Sequence, residues 1–585
     1  MKAHGGFLAC HIRPRMLLLA VIALPVLFGP PLAGPGSVGA QNGKEQPNGT
    51  SRKKSIRGRV VDDTNQPVVG AYVHLAPAGG ESGSRNEQLS VRTDEDGGFS
   101  FDEIADKPYT VTVIGVEDQA AQYHLPGEEI TIRVEKGGVI TGRVTNADGV
   151  PLAGVPVAAK CIRGKGGKPL PRPYLSWELS RSRITDDRGI YRFWGLQPGV
   201  YLVSAGPTAF WFDQGLVTPY VDDAPTYYPS STLASATQIV VNSGQELTGI
   251  DIKYRGYTGH EVSGTMTGNS PPSYLQVYFF TLGGDYVHTI SLLGEQIAGP
   301  FAFARVSDGD YLLIAVRTTG NEIKAISPPK TVTVKDADVT GINLKPLPLG
   351  SLSGRIRLEN DPKLDCKPKT DNPLAETVIS LRMDAPPKER YPVMIELELT
   401  YAATPDSRGQ FALKKVPAGN YLIESWLPNE DWYLSAMALG SGAQPLDIGT
   451  KGITISQGQT ISSIAVVIKN GAASLSGRVV PKSGTALPAG LRVFLIPSEP
   501  NRADDRLRFA ETEVGSDGSF KLRNLAPGSY HIIARSVKED DSTRRAADTI
   551  EGRTKLLREA GGKEPVIELH ACEKKTEHVL ILRAG

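Results

Sequence analysis

Measured from a glycine, apolar residues recur at fixed offsets along this chain. After Gly189, the positions +2, +4, +7 and +12 hold Tyr191, Phe193, Leu196 and Tyr201. The same offsets hold Phe99, Phe101, Ile104 and Tyr109 after Gly97, and Phe301, Phe303, Val306 and Tyr311 after Gly299. They hold Phe411, Leu413, Val416 and Tyr421 after Gly409, and Phe520, Leu522, Leu525 and Tyr530 after Gly518. Side chains two residues apart share one face of a strand, so the +2 and +4 residues face one way. The leading glycine supplies the positive φ of a hairpin turn. A second glycine at +10 (Gly199, Gly309, Gly419, Gly528; Lys107 in the first copy) predicts another turn for the same reason. The tyrosine then opens the next strand, as in "YLVSA" and "YLLIA".

An earlier block precedes each copy: an apolar residue, a polar one, glycine, a polar one and an apolar one. It is centred on Gly58, Gly142, Gly264, Gly354 and Gly477. Glycine and its apolar flanks share a strand face, which predicts that the glycine makes room for an aromatic ring of the second block. Pro67–Gly70 and Pro151–Gly154 read as turns between the blocks. Each unit closes on alternating strands such as "ITIRV" and "HVLIL", which run almost directly into the next opening strand. About seven strands per unit is the complement of a sandwich domain. In the fifth unit, 542–562 has a Ser/Thr start, helix formers and a glycine stop, predicting a short crossover helix.

The expected fold is all-β: a tandem array of five Ig-like/transthyretin-like seven-stranded β-sandwich domains after a signal peptide. The spans are 1–40 signal peptide, 41–54 disordered linker, then sandwiches at 55–137, 138–257, 258–348, 349–470 and 471–585. The signal rests on Lys2, Arg13 and Arg15 ahead of an apolar run at 16–29 that Pro25 interrupts, followed by Val38-Gly39-Ala40 as a cleavage site. No later stretch is long enough for a spanning helix, so no membrane span is expected after cleavage. The expected location is exported: periplasmic, outer-surface or secreted. Composition agrees with short strands and turns, with 63 glycines and 43 prolines in 585 residues. Lys+Arg (64) nearly cancels Asp+Glu (63), which leaves no electrostatic footprint for nucleic acid.

The Gly-Arg-Val opening, the Pro-x-x-Gly turn, the Asp-x-x-Gly-x-Tyr/Phe hairpin and the Pro-Gly-x-Tyr strand resemble the carboxypeptidase regulatory-like domain. The resemblance runs through 55–585 as successive copies, most clearly in the first, second and fifth. It implies a transthyretin-like sandwich that is not itself catalytic. The family is grouped with carbohydrate-binding-like sandwiches, a link of fold and not of site.

The repeated aromatics read as core filling, because alternation turns them inward. Asp94-Glu95-Asp96-Gly97 and Asp186-Asp187-Arg188-Gly189 have a calcium-like density of carboxylates. Gly98 and Ala105 break the required ligand pattern, so these are read as hairpin turns. His570 and Glu573 match the His-x-x-Glu pair of zinc carboxypeptidases, with His578 nearby. They lie between the last two strands, and no catalytic domain precedes them. Cys161, Cys366 and Cys572 fall in different units, so no unit closes an internal disulfide and each is expected to be held by its core alone.

Two inserts hold the candidate ligand or partner contacts. The first, 209–228, carries Trp211, Tyr227 and Tyr228; the second, 426–434, carries Trp426 and Trp432. Rings beside carboxylates stack on sugars or anchor partners. The competing account is that they cover a sheet edge or pack between units. The leading expectation is a non-catalytic exported scaffold or binding protein of a cell envelope, with carbohydrate or an envelope protein as partner and no cofactor. The alternative is an exported zinc carboxypeptidase, or an accessory subunit of a peptidase, built on His570 and Glu573.

Overall fold

Alternating residues of the first repeat fold into two sheets around their shared apolar faces. In the computed structural model the strands are β1 (Lys54–Asp62), β2 (Tyr72–Pro77), β3 (Leu89–Arg92), β4 (Gly98–Ile104), β5 (Tyr109–Val113), β6 (Tyr123–His124) and β7 (Glu129–Val134). β1 pairs antiparallel with β4 and parallel with β7, and the other sheet runs β3-β2-β5-β6. Ile56, Val60, Phe99, Phe101 and Ile132 of one sheet share a buried cluster with Val73, Leu75, Tyr109 and Val111 of the other. The structure describes residues 54–582 apart from 79–88, 114–122, 166–179, 207–218, 221–222, 268–273, 283–285, 293–298, 321, 365, 367–372, 387–388, 393–398, 400, 428–429, 441–444, 482–486, 489, 500–502, 516, 538–545 and 562–565. The expected signal and all but the last residue of the expected linker lie outside it.

The arrangement of β4, β1 and β7 recurs. Opening strands Gly138–Thr145, His260–Met266, Gly350–Glu359 and Ala473–Pro481 each take a hairpin strand antiparallel on one side and a closing strand parallel on the other. Each set faces further strands across its own buried cluster. Tyr109, Tyr201, Tyr311, Tyr421 and Tyr530 are all buried, as are the aromatic and aliphatic residues at +2, +4 and +7.

The tyrosines are fixed by more than burial. Tyr201 donates to the Gln197 carbonyl (2.9 Å), Tyr311 to Ser307 (2.7 Å), Tyr421 to Pro417 (2.9 Å) and Tyr530 to Ala526 (2.7 Å), each four residues upstream. This is a tyrosine corner: a buried ring satisfies its hydroxyl on the bend that carries it. The +10 glycines correct the turn expectation. Gly199, Gly309 and Gly419 lack a positive φ. At Gly199 the demand is for space, because a Cβ would stand 2.6 Å from the Arg163 carbonyl oxygen and 2.9 Å from Cys161 Sγ.

The left-handed residue sits earlier. Glu103 (φ 59°), Gly195 (66°), Arg305 (65°), Lys415 (57°) and Asn524 (54°) occupy the +6 position of each repeat. A register shift against the opening strand falls at this point in all five copies. It is a β-bulge that returns the +7 residue to the core face. The opening-block glycine faces the +2 aromatic across the strand pair in every copy, as Gly142 faces Tyr191 and Gly354 faces Phe411. The atom nearest a Cβ there is nevertheless a closing-strand carbonyl oxygen, from Ile130, Ile250, Ile342, Ile464 or His578. The glycine therefore admits a backbone first, and at Gly58, Gly142 and Gly354 the aromatic side chain next. The predicted helix forms over Ile550–Ala560, capped by Thr549, and lays Leu556 and Ala560 on Phe494 and Ile496.

Contacts between repeats are extensive, and Ser51–Gly585 forms one compact unit. Leu312, Ile314 and Val316 lie on the face of their strand opposite Tyr311 and Leu313. They are buried with Tyr391 and Leu399 of the fourth repeat. Cys366 and Cys572 form a disulfide between the fourth and fifth repeats, with Cα atoms 5.9 Å apart. The expectation of cores acting alone is thus corrected: it weighed pairing within units and not across them.

Candidate functional site

The two aromatic inserts mainly extend or cover sheets. In the second repeat, Thr226–Tyr227 pairs antiparallel with Ser204 and Ala205 as an added strand. Tyr228 donates its amide to the Val203 carbonyl (2.9 Å), and its half-buried ring packs on the second cluster. Tyr254 donates to the Asp223 carboxylate (3.0 Å) beneath the edge-to-face ring of Tyr220, 5.4 Å away. Burial, then Asp223, pushes the Tyr254 phenol well above its ordinary range. Trp211 lies outside the described residues.

In the fourth repeat, Trp432–Leu439 runs antiparallel along the closing strand Thr460–Asn470 and covers its edge. Trp432 is 5% exposed and belongs to the fourth core, which corrects its reading as a contact residue: its ring fills the sandwich. The indole Nε1 is buried without a hydrogen-bond partner among the described residues. Trp426 is half-buried, with its ring edge-on to Tyr123 of the first repeat at 5.2 Å and an interplanar angle of 66°. Burial, then the nearby Glu424 carboxylate, raises the Tyr123 phenol. This contact joins two repeats that are not consecutive, which a string of modules touching only neighbours does not do.

A charged junction that the sequence reading missed lies between the fourth and fifth repeats. Arg506, capped into a short turn by Asp505, donates to the carbonyls of Gly449 (2.8 Å) and Ile423 (3.0 Å). Arg382 of the fourth repeat donates to Glu424 (2.9 Å) and to Asp548 of the fifth (2.6 Å). The Asp548 side chain is only 1% exposed. Nothing in the polar run "ADDRLR" signals a buried arginine, because burial here comes from another repeat. A surface ring was also missed. Trp194 is 56% exposed, with the Arg183 guanidinium 4.1 Å from its ring centre. The alternation that turns Tyr191 and Phe193 inward places Trp194 outward, so that signal was available.

The carboxylates of the turns are occupied by backbone. Asp186 accepts from the amides of Arg188 (3.0 Å) and Ile190 (2.7 Å), and Asp94 and Asp406 repeat the arrangement. Glu573 accepts from the His570 amide (2.8 Å) and pairs with Lys575 at 3.2 Å. That amide bond is the main reason its carboxyl is held below the ordinary range. The His-x-x-Glu spacing here closes a turn between two strands. Among the described residues no group of three or more His, Cys, Asp or Glu side chains is placed to hold a metal ion, and no helix is long and apolar enough to cross a membrane.

These strand pairings, corners and turns can be set beside known proteins. Residues 55–137 match the family model of the carboxypeptidase regulatory-like domain. No curated protein matches the chain in sequence. Among solved structures, the Bacillus anthracis TIE protein aligns at 14% identity and a TM-score of 0.13, covering 50% of each chain. The minor pilin GBS52 of Streptococcus agalactiae aligns at 15% identity and a TM-score of 0.19, covering 34% of this chain and 96% of the pilin. Two B repeat units of the Staphylococcus aureus collagen-binding protein align at 13% identity and a TM-score of 0.13, covering 72% of this chain and all of theirs. Likeness at this level bears on neither activity nor partners.

Proposed function

We propose that the chain is an exported, non-catalytic array of five β-sandwich domains, at 55–137, 138–257, 258–348, 349–470 and 471–585, that holds together components of a cell envelope. The carrying observation is that the side chains defining the repeat are spent on the fold. The five tyrosines are buried, and four of them bond their own corners. The turn carboxylates hold amides, and Glu573 holds the His570 turn. Specificity on such a scaffold belongs to edges and inserts. Trp211, Tyr227, Tyr228 and the exposed part of Trp426 are the proposed contacts with carbohydrate or an envelope protein. A disulfide between repeats supports an oxidising compartment outside the cytoplasm.

The test is capture of envelope components by the tagged exported chain, run beside a glycan array. Specific capture, weakened by Trp211→Ala, is the expected result. Peptide hydrolysis by the purified chain, with stoichiometric zinc lost on His570→Ala, would replace this reading with the peptidase one.

A further inference from the structure

The outward positions of the five closing strands can be compared in one register. Val60, Val144, Met266, Ile356 and Val479, each two residues past the opening-block glycine, pair with Ile132, Ile252, Leu344, Val466 and Leu580. The residues flanking each partner point away from the core. They are Thr131 and Arg133 in the first repeat, Asp251 and Lys253 in the second, and Asn343 and Lys345 in the third, all exposed. Polar and charged side chains on an edge strand deter further pairing. In the fourth repeat the flanking residues are Ala465 and Val467. There the edge is covered, with Ala438 opposite Ala465 and Ala436 opposite Val467 on the strand Trp432–Leu439.

The fifth repeat has the apolar residues, and among the described residues no strand pairs with its outer edge. Val579 and Ile581 are 60% and 58% exposed, and their strand, Lys574–Leu582, is the terminal strand of its sheet. We propose that this edge pairs antiparallel with the same edge of a second copy of the chain. In a two-fold register centred on Leu580, Val579 of each copy stands opposite Ile581 of the other. This reproduces the apolar-on-apolar pairing of the covered fourth edge. One patch meeting its own copy is used up in the pairing and gives a closed dimer.

The test uses the full exported chain. Sedimentation velocity across a concentration series is expected to show a reversible dimer. Val579→Lys and Ile581→Lys are each expected to shift it to monomer without changing the melting temperature, since both side chains are exposed. Directly opposite residues lie within disulfide reach. An equimolar mixture of V579C and I581C chains should therefore cross-link faster than either chain alone. A wild-type chain that stays monomeric at its highest soluble concentration would overturn the proposal. So would lysine variants that remain dimeric, or cross-linking no faster in the mixture.

Discussion

Tyr201 donates its hydroxyl hydrogen bond to the carbonyl of Gln197, four residues back along its own chain, at 2.9 Å. The ring fills the second core while the bond fixes the bend that delivers it. The two roles separate by mutation. Tyr201→Phe keeps the ring and should cost about 1 kcal/mol through the lost bond. Tyr201→Ala should cost about 3–5 kcal/mol through the cavity. Urea denaturation of both variants checks the difference; equal losses would show that the corner contributes nothing.

Gly142 is expected to tolerate no side chain. A Cβ would meet the Ile250 carbonyl and, at 2.7 Å, the Tyr191 hydroxyl oxygen. A backbone carbonyl in a strand yields less than a side chain, so Gly142→Val should reach or exceed the upper end of the usual overpacking cost, about 3 kcal/mol. An unchanged melting temperature for this variant would contradict the packing described.

Arg506→Ala should loosen the fifth repeat from the fourth. It removes charge-assisted bonds to two carbonyls, worth about 1.5–3 kcal/mol each, and leaves the buried Asp548 short of a cation. Hydrogen exchange should rise around Ile423 and Gly449 while the first core stays protected. Unaltered exchange at both sites would remove Arg506 from the junction.

Reducing the Cys366–Cys572 bond, or replacing Cys366 with serine, should lower stability by about 2–4 kcal/mol. It should also separate the unfolding of the fourth and fifth repeats into distinguishable steps. A calorimetric trace identical with and without reductant would show that the bond carries no such role.

Lys415 holds a left-handed backbone, φ 57°, where the second repeat has Gly195. Lys415→Gly should therefore be neutral or stabilising by up to about 1 kcal/mol, because relief of side-chain crowding offsets the greater freedom of the unfolded glycine. Thermal unfolding of this single variant is a sufficient check.

The sandwich was legible because its signal is local: a period of two between fixed turns leaves little freedom in register. The edge-covering role of Trp432–Leu439 was only half legible. The insert "WLPNEDWYL" reads equally well as a display of rings, and the strand it covers lies thirty residues further on. The Cys366–Cys572 bond and the Arg506 junction were hidden, because they join residues with no shared periodicity. "YLLIAV" did carry a cue in its unbroken apolar run, the mark of a strand buried on both faces.

The edge-on contact between Tyr123 and Trp426 gives the array a mechanical property. An aromatic pair of this kind is worth about 0.5–1.5 kcal/mol beyond its buried area, far less than a folded sandwich. If tension were applied along the chain, this clasp would open before any sheet sheared. The first repeat would then part from the fourth at this point while every core, and the buried packing of the third repeat on the fourth, stayed intact, so the contact could break and re-form without unfolding.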